Sequence, residues 1–234
     1  RSSDLHSDFT EVLDSALKDA RALEEGGVDA LLIENFGDKP FFKTAPPETV
    51  ACMTAIAKDI AGETSLPLGI NVLRNDAIAA LAIAKAVDAD FIRVNQLIFP
   101  SLMPEGFMDV NPGEVLRYRK QINCRAMIFA DVSVKHSVQL AKLEDFAENF
   151  ERSLADAVVI TGSSTGSAPD MGVVSRAKKL FKAPVLVGSG VNAQNVSEFM
   201  KLCDGVIVGT YLKKSGRVEI GRVRNLVRFA KDLI

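Results

Sequence analysis

The sequence predicts an α/β protein, a TIM-type (β/α)8 barrel with parallel strands, whose first strand is apparently absent from this chain. Three observations carry that expectation. Short apolar runs alternate with amphipathic stretches from one end to the other, which is the pattern of βαβ units. The runs are apolar at consecutive positions, as strands covered on both faces are. The strands also begin in two alternating ways, which a barrel drawing its core layers from alternate strands produces.

In chain order, Phe9, Val12, Leu13, Ala16, Ala20 and Leu23 recur at helical spacing behind a capping candidate, Ser7 or Asp8, and Gly26-Gly27 stops this helix. VDALLIEN (28–35) then reads as a buried strand. PLGINV (67–72), ADFIRVN (89–95), AMIFADV (126–132), DAVVITG (156–162), PVLVGSG (184–190) and DGVIVGT (204–210) repeat the signal. Amphipathic stretches lie around Thr49 to Ile60, Ala77 to Ala86, Gly113 to Ile122, Leu143 to Leu154, Val173 to Phe181, Val196 to Leu202 and Val218 to Leu233.

Four strands open on a small or apolar residue followed by aspartate: Val28-Asp29, Ala89-Asp90, Ala155-Asp156 and Cys203-Asp204. The strands between them open differently, two on Pro67 and Pro184. Because the aspartates sit at strand N-termini, we read them as turn and stability positions. The count is seven strands behind a leading helix, and a closed barrel needs one more ahead of that helix. Either that strand is missing from this chain or the barrel is open. An open barrel exposes unpaired edges, so we expect the native gene to encode a strand upstream of Arg1. No linker-like Pro/Gly/Ser stretch interrupts residues 1–234, which we read as one domain.

The formal net charge of -2 argues against a non-specific nucleic-acid surface, which needs clustered Lys and Arg. Cys52, Cys124 and Cys203 are odd in number and far apart, so neither a disulfide framework nor a zinc site is expected. We read them as reduced, mostly buried thiols. No apolar run approaches the ~18 residues of a membrane span. The opening RSSDLHSDF is not a signal peptide. A cytoplasmic location is the default, and no metal or organic cofactor is expected.

In parallel α/β folds ligands bind beyond the strand C-termini. The strongest signal there is the last pair of strands. One ends in Gly188-Ser189-Gly190-Val191-Asn192 before a helix, and the other in Gly209-Thr210, with Lys213 just beyond. Glycines let the backbone approach an anion, and N–H groups at a helix start face it. Barrels frequently build phosphate sites from these two loops. The alternative is a pair of tight turns with no ligand.

The other strand ends are unusually polar. They offer Glu34 and Asn35, then Asn71 with Arg74, Asn75 and Asp76, then Arg93 and Asn95. Asp131 follows with Lys135 and His136 in its loop, then Thr161, Gly162, Ser164, Thr165, Gly166 and Asp170. Arg93 and Asn95 flank Val94 and so share a face. Charge facing the helix layer is expensive unless paired, which favours the lumen. A carboxylate, an amide and a guanidinium converging on one mouth suit a polar, sugar-like substrate. Glu34, Asp131 and His136 are the acid/base candidates, and Asn71, Arg93, Asn95 and Thr161 the substrate-binding ones. Two questions stay open. Arg93 either contacts ligand or braces the barrel against Glu34 or Asp131. His136 is either a general acid/base or an exposed loop histidine.

Two loops are oddly apolar: Phe36 with Phe41 and Phe42, and the run from Leu97 to Met108. Such loops at a ligand face act as lids or bury against another subunit. We expect the longer one to make a homo-oligomer contact.

The stretches GGVDALLIENFGDKPF, PETVACM, PLGINVLRNDAIAALAIA, ADFIRVN, ADVSVKH, ADAVVITGSSTG, PVLVGSGV and DGVIVGTYLKKSG run in order through nearly the whole chain. On these segments the sequence resembles the BtpA family, named after a photosystem I biogenesis protein. ENFGDKPF, GINVLRND and DVSVKH are specific to the family, while GSG and VGT are shared by many barrels. The resemblance implies a phosphate-binding TIM barrel. Family members open with a strand carrying a valine-histidine-leucine segment and a proline-glycine-rich loop, which this chain lacks. It also carries Pro104-Glu105-Gly106 where relatives tend to have an acidic-glutamine-glycine turn. A photosynthetic member is implicated in photosystem I accumulation, yet relatives occur widely without photosynthesis, which implies a general metabolic role. Peripheral membrane association is implied only if the protein is photosystem-related.

Two functional readings follow. One is an enzyme acting on a small phosphorylated metabolite, sugar-phosphate or nucleotide-like, with inorganic phosphate as the minimal ligand. The other is a non-catalytic biogenesis or assembly factor acting through protein contacts.

Overall fold

The computed structural model describes residues 8–133, 138–162 and 166–231. Seven parallel strands form one curled sheet in chain order: β1 (Leu31–Glu34), β2 (Leu68–Asn71), β3 (Phe91–Val94), β4 (Met127–Ser133), β5 (Ala157–Ile160), β6 (Val185–Val187) and β7 (Gly205–Val206). Around them lie α1 (Phe9–Gly26), α2 (Pro47–Glu63), α3 (Ala77–Val87), α4 (Pro112–Gln121), α5 (Leu143–Ser153), α6 (Met171–Leu180), α7 (Val196–Met200) and α8 (Ile220–Lys231). This is the expected (β/α) barrel architecture, and every expected strand and helix is present.

Local chemistry fixes the helix ends. The Asp8 carboxylate accepts from Thr10 N–H at the start of α1, and Gly27 ends it in the left-handed region at φ 89°. Asp76 Oδ1 accepts from Ala79 N–H at the start of α3, while its Oδ2 accepts from Ala45 N–H and so pins the loop after β1. Asp170 caps α6 in the same way. Among the described residues, no helix is long and apolar enough to cross a membrane.

The main core lies between sheet and helices. Ile70, Ile92, Ile128, Val158, Ile160, Val185 and Val187 face outward from the strands into the helix layer and are essentially inaccessible. Cys124 and Cys203 are buried, but Cys52 is exposed because it lies on the outer face of α2.

Among the described residues, β1 and β7 do not pair with each other, so the sheet has two edges. The ring closes in the helix layer instead, where α1 meets α8. Gly26 lies so close to Val223 that a Cβ would collide. Around that contact Asp19 accepts from Val218 N–H at 2.9 Å, and Arg224 and Lys231 reach Glu25 and Asp29 at 2.8 Å.

The aspartates at strand starts form a repeated clasp. Leu68 N–H donates to Asp90 Oδ2 at 2.8 Å, while Asp90 N–H donates back to the Leu68 carbonyl at 2.8 Å. Asp156 holds Ile128 in the same way, with its carboxylate at 2.7 Å, and Asp204 holds Val185 at 2.8 Å. Each carboxylate satisfies a backbone N–H at the start of the preceding strand. Asp29, the fourth member of the repeat, pairs instead with Lys231 and is 84% exposed.

The apolar run after β3 is more ordered than a lid or a bare contact loop. Ser101–Met103 and Gly106–Met108 form a hairpin, and Val138–Gln139 adds a third antiparallel strand. Leu97, Ile98, Met103 and Met108 are buried within the chain itself, whereas Leu102 and Phe107 point outward at 47% exposure.

Candidate functional site

The period-two pleat decides which side chains enter the barrel mouth. In β3, Phe91 and Arg93 face the lumen; in β4, Phe129 and Asp131; in β2, Gly69 and Asn71. The Phe91 and Phe129 rings stack with centroids 4.6 Å apart. Gly69 makes room for them, since a Cβ there would strike the Phe91 ring. Arg93, Asp131 and Asn71 therefore stand on an apolar floor, each two residues beyond it.

Arg93 is 3% exposed and Asp131 1%. Arg93 Nε and Nη2 donate to the two Asp131 carboxylate oxygens, both at 2.9 Å, in bidentate geometry. Nη1 lies 3.5 Å from Glu34 Oε1. A Cβ at Gly188 would collide with Val159 Cγ1 at 2.5 Å and crowd Thr161 Cγ2 at 3.1 Å and Arg93 Nη2 at 3.2 Å, so glycine keeps this side of the lumen open. Burial alone lowers the Arg93 pKa, but the charge and hydrogen bonds of Asp131 and the charge of Glu34 outweigh it, so the net shift is upward. Arg93 thus remains a fixed cation between two carboxylates.

Two amides extend the cluster. Asn95 Nδ2 donates to Asp131 Oδ2 at 3.0 Å. Asn71 Nδ2 donates to Asn95 Oδ1 at 3.1 Å and to the Arg93 carbonyl at 2.9 Å. Both Asp131 oxygens accept, so the amides are oriented in one direction. The chain ends at Asn71 Oδ1, which is buried and has no hydrogen-bond partner among the described residues.

Other polar side chains at this rim hold loops. Asn35 accepts from Leu73 N–H at 2.7 Å, and Asn75 accepts from Gln96 N–H at 2.7 Å while donating to its carbonyl at 2.8 Å. These side-chain amides continue the sheet pairing past the strand ends. Gln96, 2% exposed, donates to the Ile98 and Phe99 carbonyls and accepts from Ser101 Oγ, which shapes the base of the hairpin.

A cavity of about 240 Å³ opens above Glu34 and Asn95. Phe36, Phe41, Leu73 and Pro104 wall it, and Lys39 Nζ sits 3.9 Å above the Phe36 ring. On one side Arg74 Nε stands 3.6 Å from Glu105 Oε2 at the hairpin tip. The hairpin thus covers part of the mouth. The sequence reading did not find Gln96, Glu105 or Lys39 as site residues. Pro104-Glu105-Gly106 between two short apolar runs was the hairpin signal available.

The glycine loops do not line this cavity. Ser189 Oγ accepts from Gly162 N–H at 2.7 Å and donates to the Ser167 carbonyl at 2.9 Å, so it ties its loop to the one after β5. Gly190 has φ +68°, and a Cβ there would collide with the Ala168 backbone. Both facts require glycine. Among the described residues, neither Gly190 N–H nor Gly209 N–H donates a hydrogen bond within the protein. Gly209 and Thr210 are exposed at the start of a short 3-10 turn. The helix after the first loop begins only at Val196 and has five residues, so loop backbone rather than a helix start faces outward from Gly190.

Glu34, Asn71, Arg93, Asn95 and Asp131 are thus brought together, and a Cβ at Gly188 would crowd both Thr161 and the Arg93 guanidinium. His136, Lys135, Ser164 and Thr165 lie outside the described residues.

The fold and this rim define a class, the parallel (β/α) barrel with its polar groups gathered at the strand C-termini. Within it, residues 1–232 match the model of the BtpA family, and the chain belongs to that family. An uncharacterized protein of Archaeoglobus fulgidus is 60% identical over 226 residues, covering 97% of this chain and 92% of that one. Photosystem I biogenesis protein BtpA of Synechocystis sp. is 40% identical over 215 residues, covering 90% of this chain and 75% of its own length. Among solved structures, N-(5'-phosphoribosyl)anthranilate isomerase from Pyrococcus furiosus superposes with a TM-score of 0.62 at 20% identity, covering 92% of this chain and 95% of that one. At that identity the likeness is one of fold.

Proposed function

We propose that this BtpA-family barrel is a one-domain enzyme acting on a small phosphorylated metabolite, a sugar phosphate or nucleotide-like compound. The observation that carries the reading is the pair of glycine loops at adjacent strand ends, with the Gly190 and Gly209 N–H groups free of partners among the described residues. In this reading Gly188, Ser189, Gly190, Gly209 and Thr210 hold the phosphate through backbone N–H groups. Arg93, Asn95, Asn71 and Thr161 orient the rest. The isomerase that shares the fold is named for a phosphoribosyl substrate, which supports a ligand of that kind.

The geometry ranks the acid/base candidates. Asp131 spends both oxygens on Arg93, so its role is to hold the guanidinium. Glu34 lines the cavity with 25% of its side chain exposed. It is therefore the carboxylate placed to move a proton to or from a ligand.

The alternative assembly-factor reading draws on one feature. Leu102, Phe107 and Val138 are cross-strand neighbours on the hairpin sheet, and all three are exposed. That row suits a protein contact, including the homo-oligomer contact expected for this loop. Titrating inorganic phosphate into isotope-labelled protein separates the readings. The enzyme reading expects the amide resonances of Ser189, Gly190, Gly209 and Thr210 to shift together and saturate. Saturable shifts elsewhere, or none, would overturn the phosphate site and favour the assembly factor.

A further inference from the structure

We infer that Asn71 Oδ1 and the Glu34 carboxylate together recognise hydroxyl groups, so that the ligand is the monophosphate of an otherwise uncharged polyol, such as a pentose phosphate. The inference rests on the phosphate reading above and narrows it to one substrate class. It starts from the direction of the buried network. Arg93 donates to Asp131, Asn95 donates to Asp131, and Asn71 donates to Asn95 and to the Arg93 carbonyl. Reversing either amide would set two donors or two acceptors face to face. The network therefore presents an acceptor at its end. That acceptor, Asn71 Oδ1, is buried without a partner among the described residues, on a residue 1% exposed. Leaving such an oxygen without a donor is unfavourable.

Glu34 supplies the second acceptor. It is the register partner of Asn71 on the neighbouring strand, so the two side chains leave the sheet about 4.8 Å apart on the same face. Glu34 lines the cavity, and its ion pair to Arg93, at 3.5 Å, is loose. Two acceptors borne on adjacent strands suit hydroxyls of one sugar.

The charges argue for a ligand that is neutral at this end. One guanidinium faces two carboxylates, Glu34 and Asp131, so this cluster carries one more acidic than basic group. Of the cations lining the cavity, Arg74 stands 3.6 Å from Glu105 and Lys39 3.9 Å above the Phe36 ring. A second phosphate or a carboxylate would meet Glu34 and a bare amide oxygen.

Calorimetric titration of the whole chain tests this with inorganic phosphate, methyl phosphate, ribose 5-phosphate, 3-phosphoglycerate and 2-aminoethyl phosphate. Ribose 5-phosphate is expected to bind at least about ten-fold tighter than methyl phosphate, the effect of one well-made hydrogen-bond set. 3-Phosphoglycerate is expected to bind no tighter than methyl phosphate. Asn71→Leu should bring ribose 5-phosphate to the methyl phosphate level and leave inorganic phosphate unchanged. Equal binding of ribose 5-phosphate and methyl phosphate would overturn the inference while the phosphate site stands. So would tighter binding of the aminoethyl or carboxylate ester, or an Asn71→Leu protein that still prefers ribose 5-phosphate. If neither inorganic phosphate nor any ester binds, the phosphate reading itself fails. Should Asn71→Leu not fold, the ligand series on the unaltered protein decides.

Discussion

At the N-terminal ends of the strands, three carboxylates each serve one neighbouring strand, whereas at the C-terminal ends two carboxylates, a guanidinium and two amides share one cluster. Asp90, Asp156 and Asp204 stand partly in solvent, and each accepts one backbone N–H. Asp131 is buried and accepts from Arg93 twice and from Asn95 once. The first arrangement is modular, because removing one clasp leaves the others intact. The second is collective, because its side chains bond one another. Clasps are spread around one rim and the polar cluster is gathered at the other, the two ends between which parallel barrels divide stability and chemistry.

The comparison can be broken most severely at Asp131. Asp131→Ala leaves Arg93 buried with only the loose Glu34 contact, and a loss of about 3–5 kcal/mol in unfolding free energy is expected by denaturant titration. Replacing the pair together, Arg93→Met with Asp131→Leu, should recover much of that loss, because neither charge is then stranded. A double variant as unstable as Asp131→Ala would show that packing, not stranded charge, dominates.

A clasp should matter less. Asp90→Ala leaves the buried Leu68 N–H without its acceptor, for an expected loss of about 1–3 kcal/mol. Asp29→Ala, at the same place in the repeat, removes an exposed pair to Lys231 and should change stability by less than about 0.5 kcal/mol. Equal effects at the two positions would mean that the clasp is not what stabilises the strand start.

The smallest effect is a pH dependence. Burial raises the Asp204 pKa, but hydrogen bonds from Lys178 and from Val185 N–H outweigh it and hold the carboxyl below the usual aspartate range. A depressed folded-state pKa contributes stability in full above the ordinary value, and that contribution is lost as pH falls through the lowered one. Asp204→Asn should therefore flatten the acid side of the Tm-against-pH curve. Its effect at neutral pH should stay below about 1 kcal/mol, since the side chain is more than a third exposed. An unchanged acid limb would remove Asp204 from the acid response.

What the sequence made legible follows the same division. The strands announced themselves because burial on both faces forces consecutive apolar residues, and the clasp aspartates recur at a fixed place before them. Arg93 and Asn95 could be assigned to one face because the pleat has period two. The choice for Arg93 between brace and ligand contact could not be made, since it depends on Asp131, 38 residues away. Structure adds that Arg93 is braced, bidentately, inside the very cluster that would meet a ligand. The hairpin after β3 was harder still. Its third strand comes from Val138–Gln139, and no local periodicity announces a pairing across that distance.

The clasps also bear on the order in which the molecule assembles. Each joins consecutive strands of one βαβ unit, closing chain segments of only 22, 28 and 19 residues. Loops that short close at low entropic cost, so β2–β3, β4–β5 and β6–β7 are each able to form early from local contacts. The contacts that complete the ring, between α1 and α8, span about two hundred residues. The barrel is therefore built as three self-registering modules, and its circularity is a late event carried by helices at opposite ends of the described chain.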